Sequence, residues 1–388
     1  MADTDSKATA QGEEALVIKQ LLSDLAGTPF ICSSLSRLLA GTTNYVYRGN
    51  LIQPHVIGST LVKTVIIKHT KPHAPGNESF PLDISRGISE VSILSALRES
   101  PYASKAPRAF LSNQHNGIIV LEDLAHTIDL KTALVSKRRN EVLTFHNATI
   151  IGTQLGTWLR SFHEWTTLPE QAALRASVEK NQPMRELKYK VTYGSFIGVL
   201  EDLSVISDAS KQTFESIRDN ALFELSQYSA NDISNSWGIS HGDFWTGNVL
   251  VSNELLSEPV WPQEVEFHII DWEFVQFSPK AYDLGQMIGD IYERKHFHDL
   301  ENATVAIEAF IESYGKISSE LAFRTAIHIG VYLLGWYRRR APWAPVKGTP
   351  TQIGSLITIS QDLIIKGWQQ DITWFQKSFI APLFRSCS

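Results

Sequence analysis

Apolar positions recur along this chain with two different periods, and the change from one to the other divides it. Toward the N-terminus, short runs rich in β-branched and aromatic residues at 31–39, 45–48, 61–69 and 117–121 predict strands. The polar turn 40–44 joins the first two as a hairpin. Two helices interrupt this region. One is predicted over 15–25, with Leu16, Val17, Leu21, Leu22 and Leu25 on one face and Gly27 as its stop; the other over 86–97, with Ile88, Val91 and Leu94. Residues 1–14 are polar without a period and are expected to be a disordered lead-in. From 150 onward the period is mostly helical. Ile151, Leu155, Trp158, Leu159 and Phe162 share a face over 150–165, and further helices are expected at 208–225, after Ser278-Pro279, and at 302–314, 320–340 and 352–378. The stretch 167–235 offers helical segments in which no chemistry is evident.

Composition narrows the classes. A chain of 388 residues can hold two lobes with a cleft between them, since single cores rarely grow beyond roughly 250–300 residues. With 43% hydrophobic and 20% charged residues it can bury a core and is not a disordered chain. A net charge of -6, with no block of Lys and Arg, argues against a nucleic-acid partner. Two cysteines, Cys32 and Cys387, give neither a disulfide framework nor a thiolate metal site. No apolar run reaches the roughly 18 residues of a membrane span, and no basic n-region with an apolar h-region opens the chain. A cytoplasmic protein that binds no membrane is the expectation.

Chemistry concentrates in His241-Gly-Asp243-Phe-Trp-Thr-Gly-Asn248 and, after a short apolar strand, Asp271-Trp-Glu273. A single Asp beside Gly or at a strand end is commonly a turn residue. Asp, Asn and a second Asp at this spacing on the loops flanking two strands form a metal-and-base layout. Phosphoryl transfer needs cations against the phosphates, metal ligands and an acceptor for the hydroxyl proton. Asp243 suits the base, and Asn248 and Asp271 are the hard oxygen ligands that Mg2+ takes. Lys68 closes an apolar strand and Glu90 lies beside the stripe of the next helix. Each alone reads as a solvated residue; together they can make an ion pair holding the ammonium against a nucleotide phosphate. The turn at Gly41 is either an ordinary hairpin turn or a phosphate cover, and 122–125 either a strand-to-helix loop capped by Asp129 or a connector between lobes.

On these residues the chain resembles the aminoglycoside phosphotransferase and choline kinase superfamily. Residues 241–248 resemble its catalytic loop, and Asp271-Trp-Glu273 resembles the Asp-x-Glu metal motif of its methylthioribose kinase and choline kinase branches. Val65-Ile-Ile-Lys68-His69 and Asp283-Leu-Gly-Gln-Met-Ile-Gly-Asp290 are most similar to fungal small-molecule kinases of the hydroxytryptamine kinase type. The resemblance implies an α+β, bilobal protein-kinase-like fold: a small β-rich N-lobe at 15–121, a hinge at 122–125 and a larger, mainly helical C-lobe at 126–388. It implies ATP and Mg2+, with Gly41, Thr42 and Asn44 in the nucleotide loop, Lys68 paired with Glu90, and Glu122 and Leu124 at the adenine edge. Asn248, Asp271 and Glu273 would serve the metal, Glu273 by binding a second ion or by bracing the first site, and Asp283 would hold the catalytic loop. Trp245 would stack on an acceptor or pack the loop. Arg339 and Arg340, in a triple-Arg helix end matched to the macrodipole, would either be solvated or clamp an anionic group. The implied activity is an ATP-dependent kinase acting on a hydroxyl of a small metabolite. Its alternatives are a methylthioribose or aminoalcohol (choline- or ethanolamine-like) kinase and, in another class, a catalytically silent nucleotide-binding pseudokinase.

Overall fold

The structure is a computed structural model that describes residues 2–38, 43–58, 60–75, 77–102, 105–227, 229, 233–258, 260–339 and 348–385, with backbone alone for 2–13, 60 and 336–339. It divides into two compact units, one of residues 1–99 and 107–125, the other of 100–106 and 126–388.

The first unit is β-rich. Strands β1 (Cys32–Leu38), β2 (Tyr45–Ile57), β3 (Thr60–His69), β6 (Ala109–Asn113) and β7 (Ile118–Glu122) form an antiparallel sheet in the order β1-β2-β3-β7-β6, and the short β4 (His73–Ala74) and β5 (Asn77–Pro81) pair beside it. The strand period sets the inner face, with Tyr47 and Leu51 of β2, Val65 and Ile67 of β3, and Ile118 and Val120 of β7 meeting in one core. Helix α1 (Ala2–Leu25) closes that core with Leu21 and Leu25. Its backbone is helical from Ala2, well before the expected start at 15. Ala, Lys, Gln and Glu in that polar stretch, with no Pro and one Gly, favour a helix without any apolar period. Helix α2 (Arg86–Arg98) buries Ile93, Leu94 and Leu97.

The second unit is mainly helical: α3 (Leu130–Val135), α4 (Arg139–Val142), α5 (Phe145–Thr167), α6 (Ala172–Glu179), α7 (Gln182–Val191), α8 (Phe196–Asp202), α9 (Asp208–Gln227), α10 (Ala281–His298), α11 (Ala303–Tyr314), α12 (Ser319–Arg339), α13 (Pro350–Trp368) and α14 (Ile372–Phe375). Helices α5 and α11 approach closely, because Gly152 and Gly156 face the α11 backbone at Ala306 and Phe310. The helix expected over 352–378 is broken: Gln370 turns left-handed at φ 56°, and Asp371 accepts the Trp374 amide at 3.0 Å to cap α14. Two small antiparallel sheets complete the unit. One orders β11 (Phe267–Ile269), β10 (Val249–Ser252) and β8 (Thr127–Asp129); the other pairs β9 (Trp237–Ser240) with β12 (Gln276–Pro279). The expected α+β division into a β-rich N-terminal unit and a larger helical one is the observed one. Among the described residues no helix is long and apolar enough to cross a membrane.

Candidate active site

The loop His241–Asn248 leaves β9 and enters β10, and one face of α10 holds it. Asp283 accepts the backbone N–H of His241 at 2.8 Å and that of Gly242 at 3.0 Å. Asp290, two turns on, accepts the Thr246 hydroxyl and also takes Arg294 at 2.6 Å and Tyr332 at 3.2 Å. Between them Gln286 donates to Asp243 Oδ1 at 2.5 Å. The spacing 283, 286, 290 puts all three on one helical face. Gly242 has φ +79°, and a Cβ there would strike the Phe274 carbonyl, so the sharp turn before Asp243 needs glycine.

His241 is fully buried between its strands. Its Nε2 donates to the Ile270 carbonyl at 3.0 Å, and its Nδ1 accepts the Asp243 amide at 3.2 Å, which defines a neutral tautomer. Burial holds its pKa below the ordinary 6.5 despite the opposing fields of Asp283, Asp243 and Asp271. Those three carboxylates are therefore all within electrostatic reach of one imidazole. Asp283 is also fully buried. Burial pushes its pKa up, but the hydrogen bond from His163 Nε2 at 3.1 Å and that from the His241 backbone amide pull harder, leaving it below the usual carboxylate range. His163 in turn stays depressed by burial, with Nδ1 accepting the Tyr314 hydroxyl at 2.8 Å.

Asn248 donates its amide nitrogen to the Asp243 carbonyl at 2.8 Å and to Asp243 Oδ2 at 3.1 Å. The nitrogen is thus committed, and the side-chain oxygen of Asn248 receives no hydrogen bond among the described residues. Asp271 takes φ 68°, ψ 59°, a left-handed conformation that costs a β-carbon residue about 1–2 kcal/mol and that Asp tolerates better than most. Glu273, in the following 3-10 turn, is buried. Asn181, at the start of α7, fixes this turn by donating to the Glu273 and Val275 carbonyls, both at 2.8 Å. The Asn248 amide oxygen and the Asp271 and Glu273 carboxylates are hard oxygen donors of the kind Mg2+ takes.

Of the two tryptophans, Trp272 is fully buried, lies tilted against His241 with ring centroids 4.5 Å apart, and donates to the Ile269 carbonyl at 3.0 Å, so it packs the loop. Trp245 is half-buried, lies over Gly247, and carries the Lys131 ammonium 5.0 Å above its ring.

In the first unit, Lys68 Nζ meets both Glu90 oxygens at 2.8 and 2.7 Å, with 7% and 1% of the two side chains exposed. Arg86, one turn before Glu90 and fully buried, donates to the Thr43 and Lys71 carbonyls and to Asn44 Oδ1 at 3.0, 3.1 and 3.1 Å. The Asn44 side chain is therefore engaged in bracing its loop. Gly41 and Thr42, expected in that loop, lie outside the described residues. The Glu122 carboxylate is gripped by Arg108 at 2.7 and 3.1 Å, so its side chain is engaged within the first unit. Arg339 ends α12 with its side chain outside the described residues, and Arg340 lies outside them entirely.

Sequence reasoning missed Gln286, Asn181 and Lys188, whose ammonium donates to Gln286 Oε1 at 2.5 Å. The available signal was a Lys four positions after Met184 on the buried stripe of an otherwise polar helix.

Residues 93–296 match the ecdysteroid kinase-like family. The chain is 28% identical over 395 residues to a phosphotransferase, FrzJ, of Cladobotryum sp, covering 97% of this chain and 98% of that one. It is 24% identical to the 4-hydroxytryptamine kinase of Psilocybe cubensis, over 74% and 75% of the two chains. Among solved structures it is similar to a choline/ethanolamine kinase family protein from Mesorhizobium loti, at 13% identity and a TM-score of 0.48 over 91% of this chain and 98% of that one.

Proposed function

The chain belongs to the ecdysteroid kinase-like family, an ATP-using small-molecule kinase that phosphorylates an alcohol group, and from that premise we propose the residues that carry the reaction and the class of its acceptor. Asp243 is the general base. It takes the proton of the acceptor hydroxyl as the oxygen attacks the γ-phosphorus and the bond to the ADP oxygen breaks. One observation carries this assignment: the Asp243 carboxylate is held at one oxygen by Gln286 and at the other by Asn248, which aims it as a fixed acceptor.

Asn248, Asp271 and Glu273 hold Mg2+, Glu273 either directly or by bracing Asp271. The ion, when bound, neutralises charge on the transferring phosphoryl group. Lys68, kept in place by Glu90, meets the nucleotide's phosphates, the 41–44 loop covers them, and main-chain groups of Glu122 and Leu124 bond the adenine edge. The acceptor is a hydroxyl-bearing specialised metabolite; hydroxyindoles lead the candidates because a relative is a 4-hydroxytryptamine kinase. Trp245, partly exposed within the loop, offers an aromatic surface to such an acceptor, and Arg339 and Arg340 are the candidate cations for an anionic one.

The test is twofold. Asp243→Asn should bind ATP as the wild type does and lose about 10²–10⁴ in kcat, the usual worth of a positioned base and roughly 3–5.5 kcal/mol of barrier. A screen of hydroxyindoles, methylthioribose, amino alcohols and aminoglycosides, with product identified by mass, would name the acceptor. Unchanged turnover in Asp243→Asn would remove it from the role, and no phosphorylated product from any acceptor would leave a silent nucleotide-binding module.

A further inference from the structure

Asp243 is oriented by an amide, and an amide has two ends that differ in sign. Gln286 presents Nε2 to Asp243 Oδ1 at 2.5 Å and Oε1 to Lys188 Nζ, also at 2.5 Å. An ammonium donates only, so it admits the oxygen end alone. Flipped by 180°, Gln286 would set its carbonyl against the Asp243 carboxylate and its NH2 against the Lys188 ammonium, two repulsive contacts in place of two attractive ones. Lys188 and Gln286 are each about 4% exposed, so water does not substitute for either partner cheaply.

The elements behind these side chains are rigid. Lys188 sits in the last turn of α7, where Thr192 bonds its carbonyl at 2.6 Å, and α7 packs against β12 and the Trp272–Phe274 turn. Asn181, seven residues earlier, ties the same helix to the Glu273 and Val275 carbonyls. One helix thereby supports both the turn after Asp271 and, through Gln286, the carboxylate of Asp243. His328 of α12 adds a neutral neighbour: it is buried, and the Lys188 charge together with burial keeps its imidazole unprotonated.

We propose that Lys188 is a positioning residue for phosphoryl transfer: it fixes the polarity of the Gln286 amide, so that an N–H and not a carbonyl faces Asp243. This rests on the reading of Asp243 as the base. Gln286 is the group that links Lys188 to Asp243.

The experiment is a double-mutant cycle on the full chain, with Lys188→Met, Gln286→Ala, the pair combined, and Asp243→Asn in parallel. Turnover is measured with ATP and 4-hydroxytryptamine, and as Mg-ATP hydrolysis without an acceptor. Lys188→Met and Gln286→Ala should each lower kcat by about 10- to 100-fold, the scale of a misplaced reacting group, with KM for ATP within twofold of wild type. Once Gln286 is alanine, Lys188→Met should cost nothing more, because its route to Asp243 is gone. Thermal unfolding of each variant separates this from a folding defect; a Met at 188 removes a buried charge without leaving a cavity. Three results would overturn the proposal: Lys188→Met at full kcat while Asp243→Asn is inactive, losses that multiply in the double variant, or a loss confined to KM. Full turnover by Asp243→Asn would instead sink the base assignment and the relay with it.

Discussion

At the scale of single residues, the buried ions are the sensitive points, because their cost depends on partners more than on position. Lys68 and Glu90 are almost entirely out of water and satisfy one another. Glu90→Ala removes the carboxylate that pairs with this buried ammonium and should destabilise the protein by about 3–5 kcal/mol in urea unfolding. The double variant Lys68→Met/Glu90→Leu should recover most of that loss and still bind ATP poorly. Recovery of ATP binding along with stability would show that the pair serves folding alone. Asp243 and Asp271 are different in kind: they are partly exposed, and Asn248, itself buried, fixes the orientation of Asp243.

At the scale of elements, α10 is the beam on which the 241–248 loop hangs. Asp283, Gln286 and Asp290 meet the loop at its entry, at Asp243 and at Thr246. Asp283→Ala strands two buried backbone N–H groups and should cost about 3 kcal/mol or more, since hydrogen bonds to a charged group contribute roughly 1.5–3 each. Because those N–H groups set the turn at Gly242, kcat should fall with stability, which a circular-dichroism melt and a turnover assay on the same sample would read together. Helices α5 and α11 provide the contrast. Gly156→Ala would press a methyl into the Phe310 carbonyl and should destabilise by about 1–3 kcal/mol without altering KM for ATP. A shifted KM there would mean that this packing reaches the site.

At the scale of the whole molecule, a set of buried neutral histidines ties stability to pH. His163, His241 and His328 are held below 6.5 chiefly by burial, and His69 is lowered to about 4 by burial and then by Lys71. For a group depressed in the folded state, the unfolded chain binds more protons once pH drops below the unfolded pKa, so stability rises with pH across that window. The stabilisation is complete above about 6.5 and is lost as pH falls through the folded values, for His69 between 6.5 and about 4. Melting temperature should therefore fall from pH 7 to pH 5, and His328→Phe, which can keep the stack on Tyr282, should flatten that slope. An unchanged slope in the variant would exclude His328 as a contributor.

Most elements of this architecture are visible in period and turn chemistry. Strands 61–69 and 117–121 and the helices at 86–97, 150–165, 208–225 and 302–314 arise within a few residues of where the pattern puts them, although the 86–97 helix buries Ile93, Leu94 and Leu97 and leaves Ile88, expected on its inner face, exposed. The candidate residues of 241–248 and 271–273 could be singled out too, since they are close in sequence and their types are few. Proximity in sequence did not matter for Lys68 and Glu90: a strand Lys and a helix Glu, 22 residues apart, were enough to suggest the pair the fold forms. What the chain by itself did not disclose is α7. Periodicity tells which face of a helix is buried but not what it is buried against, so Lys188 reads as an anomaly on a polar helix until its partner, 98 residues later, is packed onto it. Gln286 and Asn181 are silent for the same reason, because an amide gains direction only from the groups at its two ends. The sequence determined the residues that can react; tertiary packing alone decided which buried side chains hold them in line.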